Sequence, residues 1–255
     1  MSPAAATGPT LHRPALVVLD SPEAVATAVA ARLLRHLATE PRPVLGLATG
    51  RTPLAVYDRL AAAHGTGTSF AAVQSFNLDE YVGLGASDPA SFAHYMQRHF
   101  FDRVDIAAGQ GRVPDGTGDP ATVARDYEAA IAKAGGIGLQ LLGIGTNGHI
   151  GFNEPGSAFD SRTRLVTLAE STRQANAPDF PRGTEVPREA ITMGIGTILE
   201  ARQILLVATG AAKAEALHAA FHAAPDPDCP ASALQLHPRV EVICDCAAGR
   251  RLWSA

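Results

Sequence analysis

The stretch Val44-Leu45-Gly46-Leu47-Ala48-Thr49-Gly50-Arg51-Thr52-Pro53 runs from an apolar segment straight into a turn and a helix start. An apolar run of strand length, with no polar alternation, reads as a strand buried on both faces, as in parallel sheets. Thr52 has the chemistry of an N-cap, and Pro53 suits the first helical position. Gly50 permits a tight turn with bare backbone N–H groups. Strand, glycine turn and helix N-terminus together make an anion site, and Arg51 adds a planar cation beside it. On its own, the same stretch also fits an ordinary strand-to-helix turn.

Working outward, apolar runs predict strands at 15–19, 44–48, 73–78, 139–144, 164–168, 204–208 and 240–244. Helical patterns predict helices at 22–37, 53–64, 91–101, 120–134 and 211–223. Strand and helix alternate, so the fold class is α/β: a three-layer αβα domain with a mostly parallel, Rossmann-like sheet. No repeat or linker divides residues 1–255, which read as a single domain. The Gly/Pro-rich segment 109–120 is expected to be a loop. Segment 177–188, with three prolines, is a second loop and a candidate lid. The Ala/Pro-rich residues 1–12 are expected to be flexible.

Composition narrows the function. Hydrophobic residues make up 46% of the chain and charged residues 18%, which excludes a disordered protein. Mean hydropathy is +0.06, and no apolar run reaches membrane-spanning length. The net charge of −4 gives no basic excess for nucleic acid or an anionic membrane surface. The three cysteines, Cys229, Cys244 and Cys246, have neither disulfide-framework nor zinc spacing, and no histidine motif for a metal appears. No signal pattern opens the chain, so a cytoplasmic setting is expected. Only Lys133 and Lys213 of the 21 basic residues are lysine, so each invites a question.

Ligands of such folds bind outside the carboxyl ends of the strands. There, Asn77-Leu78-Asp79-Glu80-Tyr81 places two adjacent acids at one strand end, pointing to opposite sides. One can face the crevice and serve as a general base; the other reading is a helix cap or ion pair. Gly143-Ile144-Gly145-Thr146-Asn147-Gly148-His149 matches G-x-G-x-x-G, but it continues into Ile150-Gly151-Phe152-Asn153-Glu154-Pro155-Gly156, which has no helical period. Nicotinamide binding therefore lacks its context, and no cofactor is expected. What the loop does carry is Asn147, His149 and Glu154, a set in which a carboxylate can orient an imidazole for proton transfer. Thr209-Gly210-Ala211-Ala212-Lys213 repeats the Thr-Gly turn, with Lys213 in the first turn of the next helix. A cation there opposes the helix dipole and suggests a paired anion.

Taken together, these segments resemble the glucosamine-6-phosphate deaminase family. The matching stretches are 45–60, 75–84 (SFNLDEYVGL), 91–106, 141–164 (with GIGTNGHIGFNEP), 191–217 and 229–238. The resemblance implies a single αβα domain converting glucosamine 6-phosphate to fructose 6-phosphate and ammonia without a redox cofactor. It implies Asp79 as the base at C2, and His149 with Glu154 and Asn147 as the ring-opening group. It places the substrate phosphate at Thr49, Gly50, Arg51, Thr52 and near Lys213. The expected partner is a small amino-sugar phosphate, and self-association into a homo-oligomer is left open.

Two positions depart from the family pattern. Asn147 stands where many members have aspartate, and Pro178 where members usually have a phosphate-gripping arginine. Arg51 and Arg182 are the candidates to take over that grip. Arg164 matches an element of the family's allosteric anion site, but Val166 replaces its lysine, so activation by N-acetylglucosamine 6-phosphate is expected to be weak or absent. The competing readings are a deaminase for another amino sugar, a 6-phosphogluconolactonase-like hydrolase, a sugar-phosphate sensor and, weakest, a dehydrogenase. Retention of Asp79, His149 and Glu154 argues against a sensor, which needs no base at C2.

Overall fold

A computed structural model describes residues 10–181 and 183–252. In chain order the elements are β1 (Ala15–Leu19), α1 (Pro22–Thr39), β2 (Val44–Leu47), α2 (Arg51–Gly65), β3 (Gln74–Asn77), β4 (Asp79–Tyr81), α3 (Phe92–His99), β5 (Gly111–Arg112) and α4 (Pro120–Lys133). They continue with β6 (Leu139–Gly143), β7 (Arg164–Thr167), α5 (Glu170–Asn176), β8 (Glu189–Thr192), α6 (Ile195–Leu199), β9 (Ile204–Ala208), α7 (Ala214–His222), β10 (Val240–Asp245) and α8 (Cys246–Gly249).

Seven strands form one parallel sheet in the order β1-β10-β9-β6-β2-β3-β5. Side-chain alternation feeds two apolar layers. Leu45, Leu47, Leu141, Leu205, Val207 and Ile243 pack with α1, α2 and α3. Val44, Leu142, Ile204, Leu206 and Val242 pack on the other face with α4, α6 and α7. The helices cover both faces, as the three-layer reading requires. From β2 the chain winds outward to β3 and β5; β6 then returns to the other side of β2 and the winding proceeds to β9. The carboxyl ends of β2 and β6 therefore flank the switch point, where a crevice opens.

The second sheet departs from the sequence reading. β4, β8 and β7 form a small antiparallel sheet. The apolar pattern puts segment 164–168 in the main sheet, but it belongs here. The strand predicted to end at Leu78 is followed at once by a second short strand carrying Asp79. The sequence marks 164–168 as a strand, but neither its pairing with β8 nor β4, which has only three residues. The segment 109–120 is mostly loop, but it contains the edge strand β5. Segment 177–188 starts with a 3-10 turn over Ala177–Asp179 and is anchored by apolar contacts: Phe180 meets Tyr81 edge-on at 5.3 Å, and Val186 is buried with Leu168 and Phe152. Of the expected flexible segment 1–12, residues 1–9 lie outside the described residues; His12 donates its backbone N–H to Gln235 at 2.7 Å. All three cysteines are free thiols.

Candidate active site

Four strand ends meet at the switch point, and hydrogen bonds tie them together. The Leu78 N–H donates to the Leu47 carbonyl at 3.0 Å, joining the ends of β3 and β2. The Thr52 and Thr209 hydroxyls lie 3.3 Å apart, joining β2 to β9. Lys213 Nζ donates to the Ile144 carbonyl at 2.6 Å, joining β9 to β6. Every stretch singled out from sequence thus lies on one rim. Arg182 lies outside the described residues.

The turn after β2 differs in detail from its sequence reading. Gly50, not Thr52, caps α2, with φ of 112°, a left-handed conformation open to glycine. Thr52 is already helical, so its hydroxyl is free to reach Thr209. Thr209-Gly210 is built alike: Gly210 has φ of 86°, and its N–H is held by both carboxylate oxygens of Asp245. Lys213 lies in a 3-10 turn ahead of α7 rather than in its first α-helical turn. Burial lowers its pKa, as expected of an ammonium whose partner is a carbonyl. Arg51 is 73% exposed and forms a 3.3 Å ion pair with Asp179 of the candidate lid. A cavity of about 170 Å³ beside this turn is lined by Arg51, Thr52 and Thr209 together with Pro22, Glu23 and Ala55. A larger one, about 380 Å³, lies between residues 11–14 and the end of α7. It opens at the amino ends of the strands, on the opposite rim, and holds none of the candidate residues.

Asp79 is 6% exposed. Burial, followed by the neighbouring Glu80 charge, pushes its carboxyl up to about 8. Its register partner across the small sheet is Thr192, whose hydroxyl accepts the Phe152 N–H at 3.1 Å. Asp79 Oδ2 lies 3.4 Å from where a Cβ on Gly151 would stand, so this carboxylate borders the loop that carries His149. Asn153 fastens that loop to β8 by donating to the carbonyls of Ile150 and Met193 at 2.9 and 2.8 Å.

The G-x-G-x-x-G stretch opens no helix; it folds back on itself. Gly145 donates to the His149 carbonyl at 2.8 Å, and the imidazole lies over Gly145, where a Cβ would come within 2.2 Å of the ring. Glu154 Oε2 faces His149 Nδ1 at 3.7 Å, an ion-pair separation rather than a formed hydrogen bond. Asn147 completes the set. Its amide donates to Glu154 at 2.9 Å, and its Oδ1 accepts the His149 backbone N–H at 3.2 Å. Thr172 of α5 donates to the other Glu154 oxygen. Burial works to raise the Glu154 carboxyl, but the facing imidazole and the Thr172 and Asn147 donors outweigh it and hold it at about 2. The carboxylate is therefore charged throughout the working range.

Sequence reasoning missed Thr172, Tyr95 and Asp245. Tyr95 donates from α3 to the Gly50 carbonyl at 2.7 Å. None of the three sits in a local pattern that marks it; each is brought to the rim by tertiary folding. Arg164 is turned into the His149 loop, donating to Asn153 Oδ1 at 2.8 Å and Ser157 Oγ at 3.2 Å.

Fold and site together bring a buried carboxylate and an imidazole–carboxylate pair to one crevice of a doubly wound α/β scaffold. Residues 20–243 match the family model described as glucosamine-6-phosphate isomerases/6-phosphogluconolactonase, and the chain belongs to that family. It is 48% identical over 238 residues to a glucosamine-6-phosphate deaminase of Hahella chejuensis, covering 93% of this chain and 91% of that one. It is 50% identical over 235 residues to another from a Marinomonas species, covering 90% and 88%. A solved monomeric glucosamine-6-phosphate deaminase superposes with a TM-score of 0.91 at 43% identity, covering 93% of this chain and 99% of that one. The 6-phosphogluconolactonase of Thermotoga maritima shares the fold, with a TM-score of 0.73 at 19% identity and coverage of 91% and 100%.

Proposed function

We propose that the protein deaminates and isomerises glucosamine 6-phosphate, giving fructose 6-phosphate and ammonia. The observation that carries this reading is the pairing, at one crevice, of a buried carboxylate that forms no ion pair among the described residues with a separately held imidazole–carboxylate pair. The reaction needs both. The pyranose must open before C2 is acidic, so one group moves a proton between O5 and O1. A second takes the C2 proton and returns it to C1, because two tasks need two environments. His149, oriented by Glu154 and Asn147, serves the first. Asp79 serves the second. Proton removal from C2 gives an enolamine, protonation at C1 gives the C2 imine, and water then replaces the nitrogen as ammonia leaves. Asp79 is suited to this because a base of high pKa drives proton abstraction from carbon.

The phosphate is bound by the Thr49, Gly50, Arg51 and Thr52 turn, with Lys213 close by, and its binding energy orients the distant C2. Arg51 supplies the cation that Pro178 cannot. Substrate phosphate must then displace Asp179 from Arg51, so the exposed pair is a placeholder worth little by itself. Arg51→Ala is expected to raise KM about tenfold, with kcat changed less. An unchanged KM would remove Arg51 from the phosphate site. With Arg164 committed to Asn153 and Ser157, substrate dependence is hyperbolic and indifferent to N-acetylglucosamine 6-phosphate.

The direct test is ammonia and fructose 6-phosphate release from glucosamine 6-phosphate. Galactosamine 6-phosphate and 6-phosphogluconolactone serve as competing substrates. Both products from the first alone support the reading. Lactone hydrolysis without ammonia release would replace it.

A further inference from the structure

Helix α3 touches both ends of the site. Its N-terminus rests on Glu80, the neighbour of Asp79. Glu80 is 1% exposed, and its carboxylate accepts three backbone N–H groups. Tyr81 and Phe92 donate to Oε1 at 2.9 Å each, and Ala93 donates to Oε2 at 2.8 Å. One turn further on, Tyr95 donates to the Gly50 carbonyl at 2.7 Å, within the turn proposed to bind phosphate. Ser91 caps the same helix by accepting from His94 at 3.0 Å. The strand alternation that turns Asp79 toward the crevice turns Glu80 into the helix.

We propose that α3 is a brace that fixes the separation between the C2 base and the phosphate turn, with Glu80 and Tyr95 as its positioning residues. The proposal rests on the deaminase reading above. In an open-chain hexose phosphate the reacting carbon and the phosphate lie at opposite ends, so a rigid link between their binding groups sets the attack geometry. Glu80 does this in two ways: its hydrogen bonds lock β4 to α3, and its buried negative charge favours the protonated form of Asp79, making it the stronger base. Asp88 is the further acid acting on Glu80, and Tyr81 and Tyr127 are the phenols facing Asp79. Among the described residues, no cationic side chain forms an ion pair with either acid. The like charge of the pair is therefore met only by the backbone N–H groups that Glu80 accepts.

The test compares wild type, Glu80→Gln, Tyr95→Phe and Ser91→Ala in ammonia release from glucosamine 6-phosphate across pH, with inorganic phosphate as a competitive probe. Glu80→Gln is expected to move the acid limb of kcat/KM downward by about one pH unit, leaving phosphate inhibition unchanged. Tyr95→Phe is expected to weaken phosphate inhibition and raise KM about three- to tenfold, leaving the limb in place. Ser91→Ala loosens the same helix end without touching either contact, and should move neither. A limb displaced equally in Ser91→Ala and Glu80→Gln would mean mere loosening and overturn the brace. So would unchanged phosphate inhibition in Tyr95→Phe, which also decides the matter if Glu80→Gln does not fold. A wild type that releases no ammonia would instead refute the deaminase reading itself.

Discussion

Asp79→Asn is expected to lower kcat/KM for glucosamine 6-phosphate about 10³- to 10⁴-fold while making the protein more stable near pH 8. The first effect follows from chemistry. Asparagine keeps the shape and donates hydrogen bonds, but it cannot take a proton, and a positioned general base contributes about 10²- to 10⁴-fold. In the wild type the base must be ionised to act. With Asp79 pushed up to about 8 and Glu80 to about 7, both chiefly by burial, kcat/KM rises with pH through that range and falls below it. The two acids are neighbours, so the limb reports the pair. The second effect is linkage. Between about pH 4, where an unfolded aspartate titrates, and about pH 8, the folded state binds more protons than the unfolded state. Stability therefore declines as pH rises across that window. At about 1.4 kcal/mol for each pH unit of the window, the ceiling for Asp79 is on the order of 5 kcal/mol. The Asp79→Asn variant loses this contribution and keeps only that of Glu80. Denaturant midpoints at pH 5 and pH 8 check this: the wild-type midpoint should fall between them by more than the variant's. Equal slopes would mean that Asp79 is not held against its own ionisation.

This cost bears on what could be read from sequence. Most of the main sheet was legible because its strands are largely apolar runs joined to helices; β1, β2, β6, β9 and β10 fall where the periodicity puts them, and the two-residue edge strand β5 does not show. The small sheet was not: β7 shows as a strand-length run, but β4 and β8 do not, and the pairing of the three is set by contacts between distant segments. The candidate residues were legible wherever a glycine-rich strand end concentrated polar groups. Their supports were not. Thr172 holds Glu154 from a helix in a stretch with no helical signal, and the cap reading open to one of the two adjacent acids falls to Glu80, on which α3 rests. Thr52 looked like an N-cap because of Pro53, but Gly50 takes the cap with a backbone that only glycine adopts readily, starting α2 ahead of Thr52.

His149→Gln is expected to lower kcat about 10²- to 10³-fold by a route that differs from the loss of Asp79. If His149 opens the ring and Asp79 works on carbon, the variants separate on one observable: exchange of the substrate C2 hydrogen with deuterated solvent. His149→Gln leaves the base intact, so the small open-chain fraction of substrate still exchanges. Asp79→Asn leaves ring opening intact but has nothing to remove the proton, so exchange stops. Glu154→Gln should resemble His149→Gln with a smaller loss, about tenfold to 10²-fold. It keeps the contact with Asn147 and removes only the negative charge that faces the ring at 3.7 Å. Because hydrogen-bonded partners hold that carboxyl at about 2, its charge is constant over the working range. Its loss should therefore lower the whole pH profile without moving the acid limb, which belongs to Asp79 and Glu80. A moved limb in Glu154→Gln, or C2 exchange lost in His149→Gln, would show that the two proton transfers share one group and would remove the division of labour on which the mechanism depends.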